Sequence, residues 1–283
     1  MEAMNIHTTK TQAADPQATR RLEHALEVFA EYDVDRILAY KNAGDPARVA
    51  VERFGDSLAI RFSEVGYFNR VYHVDSRTLA HLDKLATFYR LVEQPVQFIA
   101  AAGTDLGRHS EILGRYRFAP GPSYARVSMD LSELSTTQQE LPPGVEILTP
   151  AREDRETVLE VYLRGFGADE ANIAAAKNNM RRLFELPQLH FWLGLVDGVP
   201  AGIGMLYTSR DQAFLCGGTT LPAYVQRGCH TALIRHRLEQ ARNLGSTRAI
   251  SWAYENSESH KNMCAQGMAT IAVDRAWDRP WIS

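Results

Sequence analysis

The sequence GGTTLPAYVQRGCHTAL at residues 217–233 is the most informative part of the chain. Its pattern predicts a strand that ends near Thr220, then a loop, then a helix that begins near Gly228. The first N–H groups of a helix have no partner inside the helix and carry partial positive charge, so such a start favours a phosphate group. Consecutive glycines at Gly217 and Gly218 predict a bulge that splays the neighbouring strands apart. Taken alone, the segment also fits a short connection with ordinary turn glycines.

The composition is that of a globular protein. The chain has 283 residues, of which 45% are hydrophobic and 23% charged, enough for two ordinary domains or one large one. A net charge of −3 argues against a general nucleic-acid binder, which needs a basic face for phosphates. No window approaches the ~18 apolar residues of a membrane helix, and residues 1–17 lack the apolar core of a secretory signal. We therefore expect neither nucleic acid nor a membrane as partner.

The cysteines and histidines predict neither disulfides nor metal. Cys216, Cys229 and Cys264 are an odd number without metal-ligand spacing, so we expect a cytoplasmic protein. The histidines show no H-x-x-x-H or H-E-x-x-H pattern. Cys229 lies at the predicted helix start, where the pKa of a thiol is lowered. A nucleophilic cysteine is still not favoured, because the adjacent His230 need not face it.

The elements around the quoted stretch predict a mixed sheet flanked by helices, an α+β fold. In the second half the predicted strands cover residues 145–148, 191–196, 201–208, 213–220, 248–254 and 270–273. The predicted helices there cover residues 154–166, 170–185, 228–244 and 257–266. Asp197-Gly198 is a hairpin turn signal between two strands. Hairpins followed by a β-α-β crossover imply both antiparallel and parallel strands.

The first half predicts a second unit. An amphipathic helix is expected around residues 22–30, and further helices at 76–92 and 107–114. Predicted strands cover residues 34–40, 48–53, 57–63, 67–74, 96–100 and 124–131, the last after a turn at 120–122. The paired prolines Pro142-Pro143 can neither continue a helix nor donate to a central ladder. We therefore place a boundary there, with domains at residues 1–140 and 141–283.

Three ordered segments of the second half resemble the GNAT superfamily of acyl-CoA N-acyltransferases. The loop at residues 225–230 resembles the family's R/Q-x-x-G-x-G/A signature, although Val225, Gln226 and His230 replace usual residues. Residues 195–207 resemble its hairpin E-x-D-G-x-x-V-G, and residues 259–268 its late helix S-x-R-N-Y-x-x-x-G-F. The first half has the same order of elements without the glycine loop. The resemblance implies the acyl-CoA N-acyltransferase fold in a tandem arrangement, with a degenerate GNAT-like first domain.

The resemblance also implies a site for acetyl-CoA as cosubstrate. The pyrophosphate would be held by backbone N–H groups from a run of six residues: Gln226, Arg227, Gly228, Cys229, His230 and Thr231. The pantetheine arm would pair with the end of the preceding strand and contact one late asparagine: Thr219, Thr220, Leu221 and Asn262. A cluster of arginines within residues 225–248, on and around the helix, would suit the phosphates: Arg227, Arg235, Arg237, Arg242 and Arg248.

One position departs from the family pattern. The usual general acid is a tyrosine four residues before the late glycine, and that position holds Met263, which has no proton to donate. Cys264, Tyr254 or water could instead protonate the leaving thiolate. The thiolate could also leave without an acid, since it is a fair leaving group at neutral pH. The third alternative is a domain that binds acyl-CoA without turning it over.

Glu255 is the predicted general base, because it closes the strand 248–254 at the edge where this fold opens its cleft. Its alternative is a partner for the start of the next helix. The expected activity is an acetyl-CoA-dependent N-acetyltransferase, with direct attack of a primary amine in a ternary complex. A non-catalytic acyl-CoA sensor is the alternative. The acceptor, a small-molecule or peptide amine, is not identified by the sequence, and a homodimer is left open.

Overall fold

The computed structural model describes residues 16–40, 44–45, 48–63, 66–90, 92–135, 137 and 140–280. Its helices are α1 (Pro16–Ala39), α2 (Leu82–Phe88), α3 (Ser110–Arg115), α4 (Arg155–Gly165), α5 (Glu170–Met180), α6 (Cys229–Asn243) and α7 (Glu258–Ala265). Its strands are β1 (Val49–Phe54), β2 (Ser57–Phe62), β3 (Arg70–Val74), β4 (Val96–Ala100), β5 (Ala119–Asp130), β6 (Val145–Leu148), β7 (Leu189–Val196), β8 (Val199–Ser209), β9 (Gln212–Thr220), β10 (Arg248–Tyr254) and β11 (Ala269–Arg279). None of the helices described could cross a bilayer, because none is both long and apolar enough.

All eleven strands form one mixed sheet, in the order β1-β2-β3-β4-β11-β5-β10-β9-β8-β7-β6. The two halves of the chain are interleaved at its centre. The last strand, β11, lies between β4 and β5 of the first half, and β5 lies between β11 and β10 of the second half. Each half therefore completes its part of the sheet with a strand from the other.

Helices cover both faces of this sheet. On one face lie α1, α4 and α5, and Phe29 of α1 packs on Phe214 of β9 with ring centroids 4.6 Å apart. On the opposite face lie α6 and α7 over the second half, with Leu233 and Leu238 of α6 fully buried. The short helices α2 and α3 pack over β3 and β4. Helix α1 thus belongs to the first half but covers strands of the second.

The predicted strand at residues 34–40 is wrong. Helix α1 continues through Ala39, and Ile37 and Tyr40 extend the buried stripe begun by Phe29 and Tyr32. The polar residues of that segment hid the helical spacing, because Asp33 and Arg36 are buried on the same face. In the sequence both look like surface residues, because buried Asp and Arg are rare.

The observed bounds of other elements in the first half also differ from the predicted ones. The helix predicted at 76–92 is a 3₁₀ turn at Thr78–His81 followed by α2, and the carboxylate of Asp75 accepts from the N–H groups of Arg77 and Thr78 at its start. The turn predicted at 120–122 lies inside β5, where the register against β11 shifts between Arg275 and Trp277. Because Pro120 and Pro122 cannot donate to a ladder, an irregular register is where a strand tolerates them.

The remaining predictions of strands and helices hold within a few residues, and the predicted mixed sheet flanked by helices is confirmed. The last strand is longer than the predicted 270–273, since β11 continues to Arg279 and includes Trp277. The boundary between domains 1–140 and 141–283 stays a prediction. Leu141 lies between β5 and β6 in an exposed connection, but the sheet itself runs across that division.

Candidate functional site

The parallel strands β9 and β10 separate halfway along their length. They pair from Arg248 and Gln212 only as far as Ile250 and Phe214. One residue later, the Ser251 hydroxyl still donates to the Leu215 carbonyl at 2.7 Å. Beyond that bond both strands continue without pairing to each other, so an opening lies between them.

The predicted bulge at the two glycines is confirmed on the other edge of β9. The register with β8 shifts between Ile203 and Met205, opposite Gly217. Gly217 has φ +51°, and a Cβ atom there would lie 2.4 Å from the Met205 sulfur. Only glycine fits this position, which turns the end of β9 away from β10.

Arg237 of α6 holds the bulge together. Its guanidinium is only 3% exposed and donates to the carbonyls of Leu233 at 3.0 Å, Met205 at 3.2 Å and Cys216 at 3.1 Å. Burial lowers the pKa of Arg237 to about 10. Its place beneath the bulge was not apparent from the sequence, where it was one of several arginines on a helix.

Most members of the arginine cluster that was expected to serve phosphates already have partners within the protein. Arg242 donates to the Leu134 carbonyl, Arg235 pairs with Glu239, and Arg248 pairs with Asp130. Arg237 is under the bulge. These guanidinium groups bind protein atoms, because the segments that pack beside α6 and β10 present carbonyls and carboxylates to them.

The loop before α6 presents its backbone. Gln226 and Gly228 have φ +62° and +81°, and Gly228 precedes the helix without any side-chain cap. A Cβ atom at Gly228 would lie 2.6 Å from Cγ of Pro142, so the linker prolines pack against this loop. Arg227 pairs with Asp197 of the β7–β8 turn at 2.7 Å. The first N–H groups of α6 are therefore open for an anion.

The end of β9 holds the other predicted residues. The Thr219 hydroxyl donates to the Gly165 carbonyl at 2.9 Å, and the Leu221 N–H donates to the Ala201 carbonyl at 2.7 Å. The Leu221 N–H is thus already used by β8 and is not available for the expected pairing with the pantetheine arm. Because N–H groups alternate along a strand, the N–H of Thr220 points to the opposite side, towards the opening.

His230 and Asn262 are brought together. The Asn262 amide nitrogen lies 3.1 Å from Nδ1 of His230. Burial, with a smaller effect from the Arg237 cation, lowers the pKa of His230 to about 4, so the ring is neutral at pH 7. With the amide as donor, Nδ1 accepts and the ring proton is assigned to Nε2. Thr231 follows in the first turn of α6, half-buried.

Cys229 is a packing residue. It is 1% exposed, and burial raises the pKa of its thiol to about 11. Its sulfur lies under Gly194 and Gly202, where Cβ atoms would come within 2.5 and 3.0 Å of it. A thiol that stays protonated at neutral pH is not a nucleophile.

A cavity of about 1010 Å³ extends from the opening between β9 and β10 to helices α1, α4 and α5. Met263 lines it, as does Tyr254, which is 57% exposed. Neither Cys264 nor Glu255 is among the described residues that line it, and both are exposed. Aromatic side chains dominate the wall near α1, including Phe29, Tyr32, Tyr40, Tyr67, Phe68, Tyr72, Tyr162, Phe166 and Trp252.

Charged side chains of α1 line this cavity and were not predicted as site residues, because Arg36 lies in the segment wrongly predicted as a strand and Asp33 immediately before it. The Asp33 carboxylate accepts from Arg70 at 2.8 Å and from the Tyr72 hydroxyl at 2.7 Å. Arg36 donates to the hydroxyls of Tyr40 and Tyr162. Within the described chain, no group of His, Cys, Asp or Glu side chains is arranged to hold a metal ion.

Comparison with known proteins shows similarity to one family and to several solved structures. The family model of the acetyltransferase (GNAT) family matches residues 155–268. No curated protein sequence matches the chain. Among solved structures, a GCN5-related N-acetyltransferase from Kribbella flavida is 13% identical with a TM-score of 0.62, over 90% of this chain and 95% of that one. A tandem GNAT protein from the clavulanic acid biosynthesis pathway is 12% identical with a TM-score of 0.61, over 95% of this chain and 97% of that one.

A third structure, of a functionally unknown conserved protein from Staphylococcus epidermidis, is 13% identical with a TM-score of 0.60, over 82% of this chain and 93% of that one. At these identities the solved structures show similarity of the fold alone. The family model matches only the second half of the sequence. Residues 155–268 are therefore similar in sequence to the acetyltransferase (GNAT) family, and the chain as a whole has the fold of a tandem GNAT protein.

Proposed function

We propose that the protein is an acetyl-CoA-dependent N-acetyltransferase that acts on the primary amine of a small molecule or peptide. The observation that carries this proposal is the opening between β9 and β10, which joins the uncapped start of α6 to the large cavity. An extended acyl-pantetheine arm fits between separated strands, because their edges offer unpaired backbone groups. The amine acceptor would approach from the cavity.

The pyrophosphate of acetyl-CoA would lie on the loop before α6. Backbone N–H groups from Gln226 to Thr231 supply the donors, and the helix dipole adds favourable charge. Arg227 lies beside this loop in an exposed pair with Asp197 and can turn towards a phosphate. Asn262 is bonded to His230, which lines the cavity, and would meet the pantetheine arm.

The chemistry is a direct attack. The amine nitrogen forms a bond to the thioester carbonyl carbon, and the carbonyl oxygen gains negative charge that the Thr220 N–H can stabilise. The C–S bond then breaks, and the CoA thiolate leaves with the electron pair. Tyr254 lines the cavity and is the proposed proton donor to that thiolate. Glu255, the next residue along the chain, is proposed to take the amine proton through a water molecule.

A charge change in the loop tests the cofactor site. We expect Gln226→Glu to weaken acetyl-CoA binding by at least about tenfold, because its carboxylate would repel the pyrophosphate. Gln226 is exposed, so the fold should tolerate the change. Gln226→Asn is the matched control, since asparagine is neutral and tolerates the φ of +62°. If calorimetry shows that the two variants bind acetyl-CoA with equal affinity, the pyrophosphate does not bind at this loop.

A non-catalytic acyl-CoA sensor is the second candidate. It is favoured by Met263, which lines the cavity at the family's tyrosine position and cannot donate a proton. Release of CoA from acetyl-CoA, followed with a thiol reagent across a panel of amines, separates the two functions. Turnover with any amine supports the transferase, and binding without turnover across the panel supports the sensor.

A further inference from the structure

Arg36 is a buried cation on the wall of the cavity. It lies on α1 and is 4% exposed. Its Nε donates to the Tyr40 hydroxyl at 3.1 Å, and one terminal nitrogen donates to the Tyr162 hydroxyl. A guanidinium has five N–H donors in a planar fork, so further donors remain for another group.

Among the residues that the structure describes, no carboxylate forms an ion pair with Arg36. Asp33, one turn earlier on α1, is the one acidic residue of the described cavity lining, and it is bonded to Arg70 and Tyr72. Asp35 faces another way and accepts from the Tyr207 hydroxyl. The guanidinium is instead surrounded by aromatic faces, with the Phe68 centroid 4.6 Å away.

The groups around Arg36 are donors. The hydroxyls of Tyr40 and Tyr162 accept from Arg36, which leaves the hydrogen of each hydroxyl for an acceptor atom. The Tyr32 hydroxyl lies on the same cavity wall beside the Cys216 thiol. It is buried and has no hydrogen-bond partner of acceptable geometry within the described chain. A buried cation without an anionic partner and the unsatisfied Tyr32 hydroxyl are costly unless they are paired. A ligand with anionic oxygens would pair them.

We propose that the acceptor is an amino carboxylate with an apolar or aromatic side chain, and that Arg36 binds its carboxylate. This inference rests on the proposed function, because it names the amine that the transferase acetylates. A planar guanidinium matches a carboxylate with two parallel hydrogen bonds. The surrounding rings suit an apolar side chain. Asn179 of α5 also lines the cavity, and its amide oxygen is buried without a partner in the described chain, which suits an amine donor.

Paired substrates test this on the unaltered protein. CoA release from acetyl-CoA is measured with L-phenylalanine and with phenethylamine, which lacks only the carboxylate, and likewise with L-leucine and isopentylamine. We expect kcat/KM to be about 100-fold higher for each amino acid, a ratio typical of one charge-assisted pair. Equal values, or higher values for the simple amines, would overturn the proposal.

Variants then assign the preference to Arg36. Arg36→Met should raise KM for L-phenylalanine by about 100-fold and leave phenethylamine nearly unchanged, and Arg36→Lys should restore part of the loss. Because the same amines are compared in each protein, differences in their basicity cancel. Arg21→Met, at an exposed position of the same helix, should change neither amine. If Arg36→Met raises KM equally for both amines, Arg36 has a structural role only and the proposal is wrong.

A binding measurement separates this inference from the transferase function. Calorimetry with phenylpropanoate, which carries the ring and the carboxylate but no amine, should show binding to the wild type that Arg36→Met loses. If it does so while no amine is acetylated, the carboxylate site stands and the transferase function fails. If phenylpropanoate does not bind, the carboxylate site is wrong even where amines are acetylated. Turnover of simple amines with succinyl-CoA in preference to acetyl-CoA would place the carboxylate on the acyl donor and overturn the acceptor assignment.

Discussion

Neither Glu255 nor Met263 combines a titratable side chain with a place in the lining of the cavity. Glu255 follows the cavity-lining Tyr254, and its N–H donates to the Ser123 carbonyl at 2.9 Å. Its side chain lies outside the lining, so it can reach a bound amine only through water. Met263 lies in the lining but has no titratable atom. We therefore propose a proton path along the mouth of the cavity, through Tyr254 and Glu255.

Removal of the Glu255 carboxylate tests that path. We expect Glu255→Gln to lower kcat about 100-fold near neutral pH, because general-base help of this kind contributes at least that much. The rate should recover as the pH rises and the amine deprotonates without help. The matched control is Glu258→Gln, an exposed carboxylate on α7 paired with Lys261. An unchanged kcat and pH profile in Glu255→Gln would remove Glu255 from the reaction.

His230 couples the site to the stability of the fold. In the unfolded chain its pKa is about 6.5, and burial lowers it to about 4 in the folded protein. Between these values the unfolded chain binds a proton that the folded protein does not, so acid favours unfolding. The contribution is fully present above about pH 6.5 and is lost as the pH falls towards 4.

Urea unfolding at pH 7 and pH 4.5 measures this coupling. From the two pKa values we expect His230 to account for roughly 2 to 3 kcal/mol of the wild-type loss in unfolding free energy. His230→Gln should therefore lose that much less on acidification. Its free energy at pH 7 should stay close to that of the wild type, because glutamine can still accept from Asn262. The same acid sensitivity in both proteins would contradict the lowered pKa.

Among the helices and strands, features that depend on nearby residues could be predicted from the sequence, and features that depend on distant contacts could not. The end of β9, the loop and α6 were predicted closely, because Gly217, Gly228 and the helical spacing after it act within a few residues. Helix α1 was cut short in the prediction because Asp33 and Arg36 look like surface residues in the sequence. Only their distant partners Arg70, Tyr72 and Tyr162 explain why they are buried. The cavity wall was missed for the same reason.

The bulge of β9 allows a prediction about the stability of this strand. Gly217→Ala combines a strained φ of +51° with a Cβ atom 2.4 Å from the Met205 sulfur, so we expect a loss of roughly 2 to 3 kcal/mol in unfolding free energy. KM for acetyl-CoA should rise as the strand end shifts. Gly245→Ala is the control, since its φ is +87° but no atom lies within 4 Å, and about 1 kcal/mol is expected. Equal losses in both variants would show that the contact with Met205 is not important.

At the scale of the whole molecule, the exchange of strands joins the two halves into one sheet. The ion pair of Arg126 on β5 with Asp274 on β11 lies 2.8 Å apart at this exchange, with Arg126 1% exposed. A sequence read by local pattern predicts that β5 and β11 are strands, but it carries no signal for which neighbours they take. Pairing over such a distance depends on the complete sheet, which is why two separate domains looked sufficient from the sequence.

Fragments divided at the predicted boundary decide whether the halves are independent. Residues 1–140 lack β11, so β4 and β5 lose the strand between them, and residues 141–283 lack β5, so β10 and β11 lose theirs. We expect each fragment alone to aggregate or remain unfolded, because long unpaired edges are exposed at the centre of the sheet. Expressed together they should form a one-to-one complex with the circular dichroism spectrum of the intact chain. Cleavage of the folded protein at a protease site inserted after Glu140, an exposed residue, is the control and should leave the halves associated. A soluble, cooperatively melting 141–283 fragment that binds CoA would show instead that the second half is a domain by itself and that the exchanged strand only attaches the first.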